Sequence, residues 1–131
     1  MIADALMAQI AAVLKDGGEW CDLEKAHVLA AIVLALRPRV TCEIGVWMGG
    51  SLVPIALALR ALHDLDVEAG RDPARRRAVA IDPWTKEASC VGQEGADEAW
   101  WASVDHDVAL AAFRGRLERH GLTEIVEIVR A

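Results

Sequence analysis

Apolar residues recur at helical spacing at the start of the chain, where Ile2, Leu6, Ile10, Val13 and Leu14 share a face, and Gly17-Gly18 ends that first helix. Asp22 is placed to cap a second helix, carried by Leu23, Val28, Ile32, Leu36 and their alanine neighbours to Arg37-Pro38, where proline forbids continuation. Arg39 to Ile44 predicts a short strand, apolar enough to be covered on both faces. Ser51 is placed to cap a third helix with a buried stripe of Leu52, Ile55, Leu59 and Leu62; Pro54 falls in its first turn, where a missing N–H removes no intrahelical bond. A polar connection, Asp64 to Arg77, leads to a second strand, Ala78 to Ile81, which ends on Asp82 and is stopped by Pro83. Lys86 to Ala99 contains Gly92, Gly95 and many polar residues, and predicts a mobile loop with at most a helical turn. A helix from about Asp105 to His120 follows, capped by Asp105 or Asp107 and faced by Leu110, Phe113 and Leu117, and Ile125 to Val129 predicts the third strand.

Short apolar strands separated by helices build right-handed βαβ units around a parallel sheet. The expected fold is therefore α/β, a Rossmann-like three-layer α/β/α arrangement with a partial parallel sheet of about three strands. Residues 1–131 form a single domain in this reading, with 1–37 as an N-terminal helical segment and 38–131 as the βαβ core.

Composition narrows the function classes. Of the 131 residues, 54% are hydrophobic, which is apolar for a single small domain, yet the longest apolar run, Ala26 to Leu36, contains His27 and falls well short of a membrane span. No membrane partner is expected. Met1-Ile2-Ala3-Asp4 lacks the basic start of an export signal, so a cytoplasmic location is expected. The net charge of −6 argues against a nucleic-acid partner, and Arg75-Arg76-Arg77 beside Asp72-Pro73 reads as a solvated loop. Cys21, Cys42 and Cys90 are odd in number and widely spaced, which fits buried reduced thiols better than disulfides or a metal pair; no metal site is expected.

The candidate chemistry lies in Cys42 to Leu52, CEIGVWMGGSL, where glycines and a serine stand between an apolar strand and a helix. In an open α/β sheet, ligands bind at the carboxyl ends of the strands, so this turn and Asp82 should share one crevice. A carboxylate there can accept bonds from both hydroxyls of a ribose. The turn does not match a dinucleotide fingerprint, because the second glycine of G-x-G-x-x-G would stand at Trp47, whose indole blocks close approach by a pyrophosphate. An NAD(P) oxidoreductase is thereby the lesser reading.

What the stretch resembles is the first motif of class I S-adenosylmethionine-dependent methyltransferases, E-x-G-x-x-x-G-x-S, carried here by Glu43, Gly45, Gly49 and Ser51, with Gly50 beside them. The stretches EWCDLEKA, EIGVWMGGSL, IDPW and WWASVDHD together look like the branch that includes cephalosporin-hydroxylase-like and sugar O-methyltransferase-like proteins. The resemblance implies S-adenosylmethionine as cofactor, its methionine part on Gly45, Gly49 and Ser51 near Glu43, its ribose on Asp82, and its adenine bordered by Pro83 and Trp84. It implies a small-molecule or sugar acceptor, and a cover over the cofactor from the segment around Glu19-Trp20-Cys21. It also implies a seven-stranded sheet whose fourth strand pairs with the first. Since the chain supplies three strands, we expect a cofactor-binding part that is truncated, naturally short or completed by another polypeptide, with Arg39 to Ile44 as an open edge that favours self-association. No residue is assigned as the catalytic base.

Plainer readings stand beside these. Glu43 is either a ligand contact or a strand-end carboxylate bonded to nearby backbone, Ser51 caps a helix with or without a ligand, and Asp82 is also a natural turn residue before Pro83. Packing in the core or a lid accounts for Trp47, Trp84, Trp100 and Trp101 more readily than cofactor stacking does. His106, between Asp105 and Asp107, reads as structural at an acidic helix start.

Overall fold

The computed structural model describes residues 2–17, 20–73 and 75–131, and the side chain of Ile2, with Gly18 and Glu19, lies outside what is described. The elements run α1 (Ile2–Lys15), α2 (Leu23–Leu36), β1 (Val40–Ile44), α3 (Leu52–Glu68), β2 (Arg77–Ile81), α4 (Lys86–Ser89), α5 (Gly95–Ser103), α6 (His106–Arg119) and β3 (Val126–Val129). The three strands form one open parallel sheet in the order β1-β2-β3, with Cys42 opposite Val79 and Val79 opposite Glu127. This is a mixed α/β fold with an open sheet, consistent with a partial Rossmann-like α/β/α arrangement in which one helical layer is present.

Local chemistry sets the helix ends. The Asp22 carboxylate accepts the Lys25 N–H at 2.7 Å, and Arg37 adopts a left-handed φ of 49° that turns the chain into Pro38. Asp105 caps α6 by accepting from the N–H groups of Asp107 and Val108. Leu6, Ile10 and Val13 of α1, Leu52, Leu59 and Leu62 of α3, and Leu110, Phe113 and Leu117 of α6 all enter the core.

Several expectations need correction. The predicted loop at Lys86 to Ala99 contains α4 and the start of α5, because Thr85 caps the former through its hydroxyl on the Ala88 N–H and glycine is tolerated at a helix start. The polar connection is shorter than expected, since α3 runs on to Glu68. Arg76 is not a solvated loop residue. It is buried, donates to the carbonyls of Arg37 and Pro38, and pairs at 2.9 Å with the buried Asp66, which also takes Arg37 and Arg71. Those guanidiniums, Arg76 first, hold the Asp66 carboxyl below its ordinary range. Cys21 is buried but Cys42 is exposed.

The largest departure concerns what covers the sheet. Right-handed crossovers from β1 to β2 and from β2 to β3 run in the same direction, and this places α3 and α6 on the same face. Ala78, Ala80 and Val126 point to that face and are buried in the core. Val40, Cys42 and Ile44 of β1 alternate to the other face, alongside Val79, Ile81 and Val129, and none of these joins the core. Ile44 is 81% exposed. β1 is thus covered on one face rather than two.

Candidate functional site

The carboxyl ends of β1 and β2 open into a cavity of about 290 Å³ lined by Glu43, Gly45, Gly50, Ser51 and Asp82, with Lys25, Val46 and the indoles of Trp20, Trp47 and Trp101. The fold brings these residues together because Glu43 pairs across the ladder with Ala80 and Gly45 donates its N–H to the Ile81 carbonyl. The glycine turn and the start of the loop after β2 therefore lie side by side.

Within the turn, each group has a definite partner. Gly45 has a φ of +79°, and a Cβ built there would meet nothing within 4 Å, so the backbone is open on that side. Gly49 has the same φ for a different reason. A Cβ there would stand 2.5 Å from Phe113 Cε2, so this glycine admits a core ring rather than a ligand. Ser51 makes no capping bond; its hydroxyl donates instead to Glu43 Oε1 at 2.9 Å. The helix start is αR at Ser51, which turns the side chain away from the N–H groups it was expected to cap.

Burial pushes the Glu43 carboxyl above its ordinary value, against smaller opposing contributions from the Ser51 hydroxyl and the Lys25 charge. Asp82 is buried, and both its oxygens are engaged: Oδ2 accepts the Trp47 N–H at 2.9 Å and Oδ1 accepts the Trp84 N–H at 2.8 Å. The indole N–H of Trp84 donates to the Trp47 carbonyl at 2.9 Å, closing a brace between the two loops. Trp47 and Trp84 both carry positive φ, 52° and 44°, a conformation that non-glycine residues adopt only when the surroundings hold it.

Trp84 is fully buried and stacks on Phe113 at 5.8 Å, while Pro83 beside it is half-buried. Three indoles, Trp20, Trp47 and Trp101, roof the site, and Trp100 packs against all three. Trp47 lies 5.9 Å from Trp20 and 5.3 Å edge-on from Trp101, and Trp100 meets Trp101 at 4.8 Å. His106 is buried under this roof, flat against Trp101. Glu19 lies outside the described residues, but Trp20 and Lys25 from the same segment do line the cavity.

A scan against protein-family models and a search of curated proteins each found no match to this chain.

Two contributors were not singled out from the sequence. Lys25 reads as helix surface there, and only the fold turns it toward the cavity. Arg116 reads as a basic residue near a helix end, yet it is almost fully buried, donating to the Met48 carbonyl in the glycine turn at 2.8 Å and to the Val13 carbonyl. It ties α6 and α1 to the turn. A charged residue three positions after Phe113 and seven after Ala109, on the same apolar helix face, was the available signal.

Proposed function

We propose that this cavity binds S-adenosylmethionine, and that the protein is a methyltransferase, or the cofactor-binding part of one, whose acceptor is an oxygen of a small molecule or sugar. The observation that carries the proposal is the gathering of Glu43, Gly45, Ser51 and Asp82 under tryptophan rings at the carboxyl ends of adjacent parallel strands. S-adenosylmethionine would supply an electrophilic methyl group on a sulfonium cation. The electron-rich faces of Trp47 and Trp101 attract such a cation, and the Glu43 carboxylate suits the ammonium end of the same ligand. Asp82 is held rigid by its two amide donors and keeps further lone pairs for ribose hydroxyls. Gly49 contributes by admitting Phe113 beneath the turn. The open backbone at Gly45 lets the ligand lie close.

A cytoplasmic setting belongs to the same proposal. The observation nearest to it is that no helix among the described residues is long and apolar enough to cross a membrane.

Calorimetry on the 131-residue chain with S-adenosylmethionine and, separately, NAD(H) tests the proposal. Binding of the former alone is expected, and Glu43→Gln should weaken it by about tenfold or more through loss of a charge-assisted bond. Binding of NAD(H) with no response to S-adenosylmethionine would overturn it. A second reading, a non-catalytic interaction module, is favoured by one observation: β1 bonds only to β2 among the described residues.

A further inference from the structure

Three ionisable side chains line the cavity, Lys25, Glu43 and Asp82, and they are not equivalent. Asp82 is fixed by the amides of Trp47 and Trp84. Glu43 has the Ser51 hydroxyl at 2.9 Å, and the Lys25 ammonium donates to the Trp20 carbonyl at 3.4 Å. Among the described residues neither Glu43 nor Lys25 forms an ion pair, with the other or with any third group. Yet the two interact, because the Lys25 charge acts on the Glu43 carboxyl against the burial that raises it. Helix α2 gives no reason for this lysine. A cation in its first turn opposes the helix dipole, and the exposed side chain reaches back to Trp20 rather than pairing with Asp22 or Glu24.

We infer that Glu43 and Lys25 form a two-point clamp for an α-amino-acid end of the ligand, Glu43 taking its ammonium and Lys25 its carboxylate. Two opposite charges that share a cavity without pairing are complementary to a group that carries both signs. An α-amino acid holds an ammonium and a carboxylate on one carbon, so it bridges the pair and compensates the desolvated carboxylate of Glu43. Other charge patterns fit less well. A simple amine satisfies Glu43 and leaves Lys25 without a partner, while a carboxylate or phosphate lacking an ammonium meets Lys25 but is repelled by Glu43. Lys25 is thereby the residue that distinguishes an amino acid from an amine. The inference deepens the S-adenosylmethionine reading and rests on it for the remainder of the ligand.

Calorimetry on the 131-residue chain with S-adenosylmethionine, its decarboxylated analogue and 5′-methylthioadenosine reads the clamp directly. The decarboxylated analogue should bind about tenfold or more weakly than S-adenosylmethionine. Lys25→Met should bring S-adenosylmethionine down to that same level and leave the other two unchanged, whereas Lys25→Arg should keep most of the affinity. Lys25 is exposed, so both variants should fold, which circular dichroism checks. Equal affinities for S-adenosylmethionine and its decarboxylated analogue, or a Lys25→Met loss shared by 5′-methylthioadenosine, overturn the clamp and leave the cofactor reading standing. NMR titration with L-methionine alone covers the opposite case. Shifts at Glu43 that Lys25→Met abolishes, in a chain that does not bind S-adenosylmethionine, keep the clamp and overturn the cofactor reading. Failure of all these ligands to bind overturns both.

Discussion

Glu43 and Asp82 are both carboxylates at strand ends, but their surroundings divide them. Asp82 accepts two backbone N–H groups, whereas Glu43 has the single Ser51 hydroxyl and is desolvated. A carboxyl whose folded value lies above its unfolded value binds more protons in the native state. Its contribution to stability is complete below the ordinary value of 4.5 and is lost as pH rises through the folded value. Glu43→Gln abolishes this titration, so the Tm of the variant should gain on that of the parent as pH rises above 4.5, and a difference independent of pH would refute the assignment. Ser51→Ala removes the bond that opposes burial. The Glu43 carboxyl should then titrate still higher, which an NMR titration of the side-chain carboxyl carbon reads directly. The Glu43–Ser51 bond could not be read from the sequence, because Ser at a helix start is explained by capping alone, and only the αR conformation at Ser51 separates the two roles.

Among the elements, the glycine turn is fastened from below by α6. Phe113 fills the space that a Cβ at Gly49 would need, and Arg116 holds the Met48 carbonyl. Gly49→Ala combines a left-handed φ with a 2.5 Å clash against Phe113 Cε2, and should cost about 2–3 kcal/mol in urea denaturation. Gly45→Ala shares the φ of +79° but not the clash, so it should cost only about 1–2 kcal/mol. Equal losses would mean that Phe113 yields and the fastening is loose. The helices α1 and α6 were legible because their apolar residues recur with a definite phase. In α2 nearly every position is apolar, so periodicity carries no phase, and Val28, Ile32 and Leu36 proved to face outward while the small Ala26 and Ala30 meet α3. The helices α4 and α5 were hidden by Gly92 and Gly95, which signal loops in isolation but here stand between and at the start of two short helices. Arg76 reads as part of a solvated charge run, and Arg116 was not singled out; their partners lie 10 to 103 residues away in the chain, so no local pattern identifies those partners.

For the molecule as a whole, the uneven cover of the sheet governs where substitutions are felt. Strand pattern alone implied burial on both faces, since parallel strands ordinarily read as continuous apolar runs between two helical layers. Here the layers differ: Ala78 and Ala80 are small because α3 and α6 press against them, whereas Val79 looks out from the same strand on the other side, flanked by Cys42 and by Glu127, which pairs with Arg77 at 3.6 Å. Neighbouring positions of β2 should therefore respond in opposite ways. Val79→Thr keeps the β-branched shape and places a hydroxyl where water reaches it, so its cost in urea denaturation should be small, within about 0.5 kcal/mol. Ala80→Leu adds three carbons to a packed interior and should cost about 3 kcal/mol or lead to misfolding. A Val79→Thr penalty of about 2 kcal/mol or more, well outside the surface range, would show that the outer face is buried in solution.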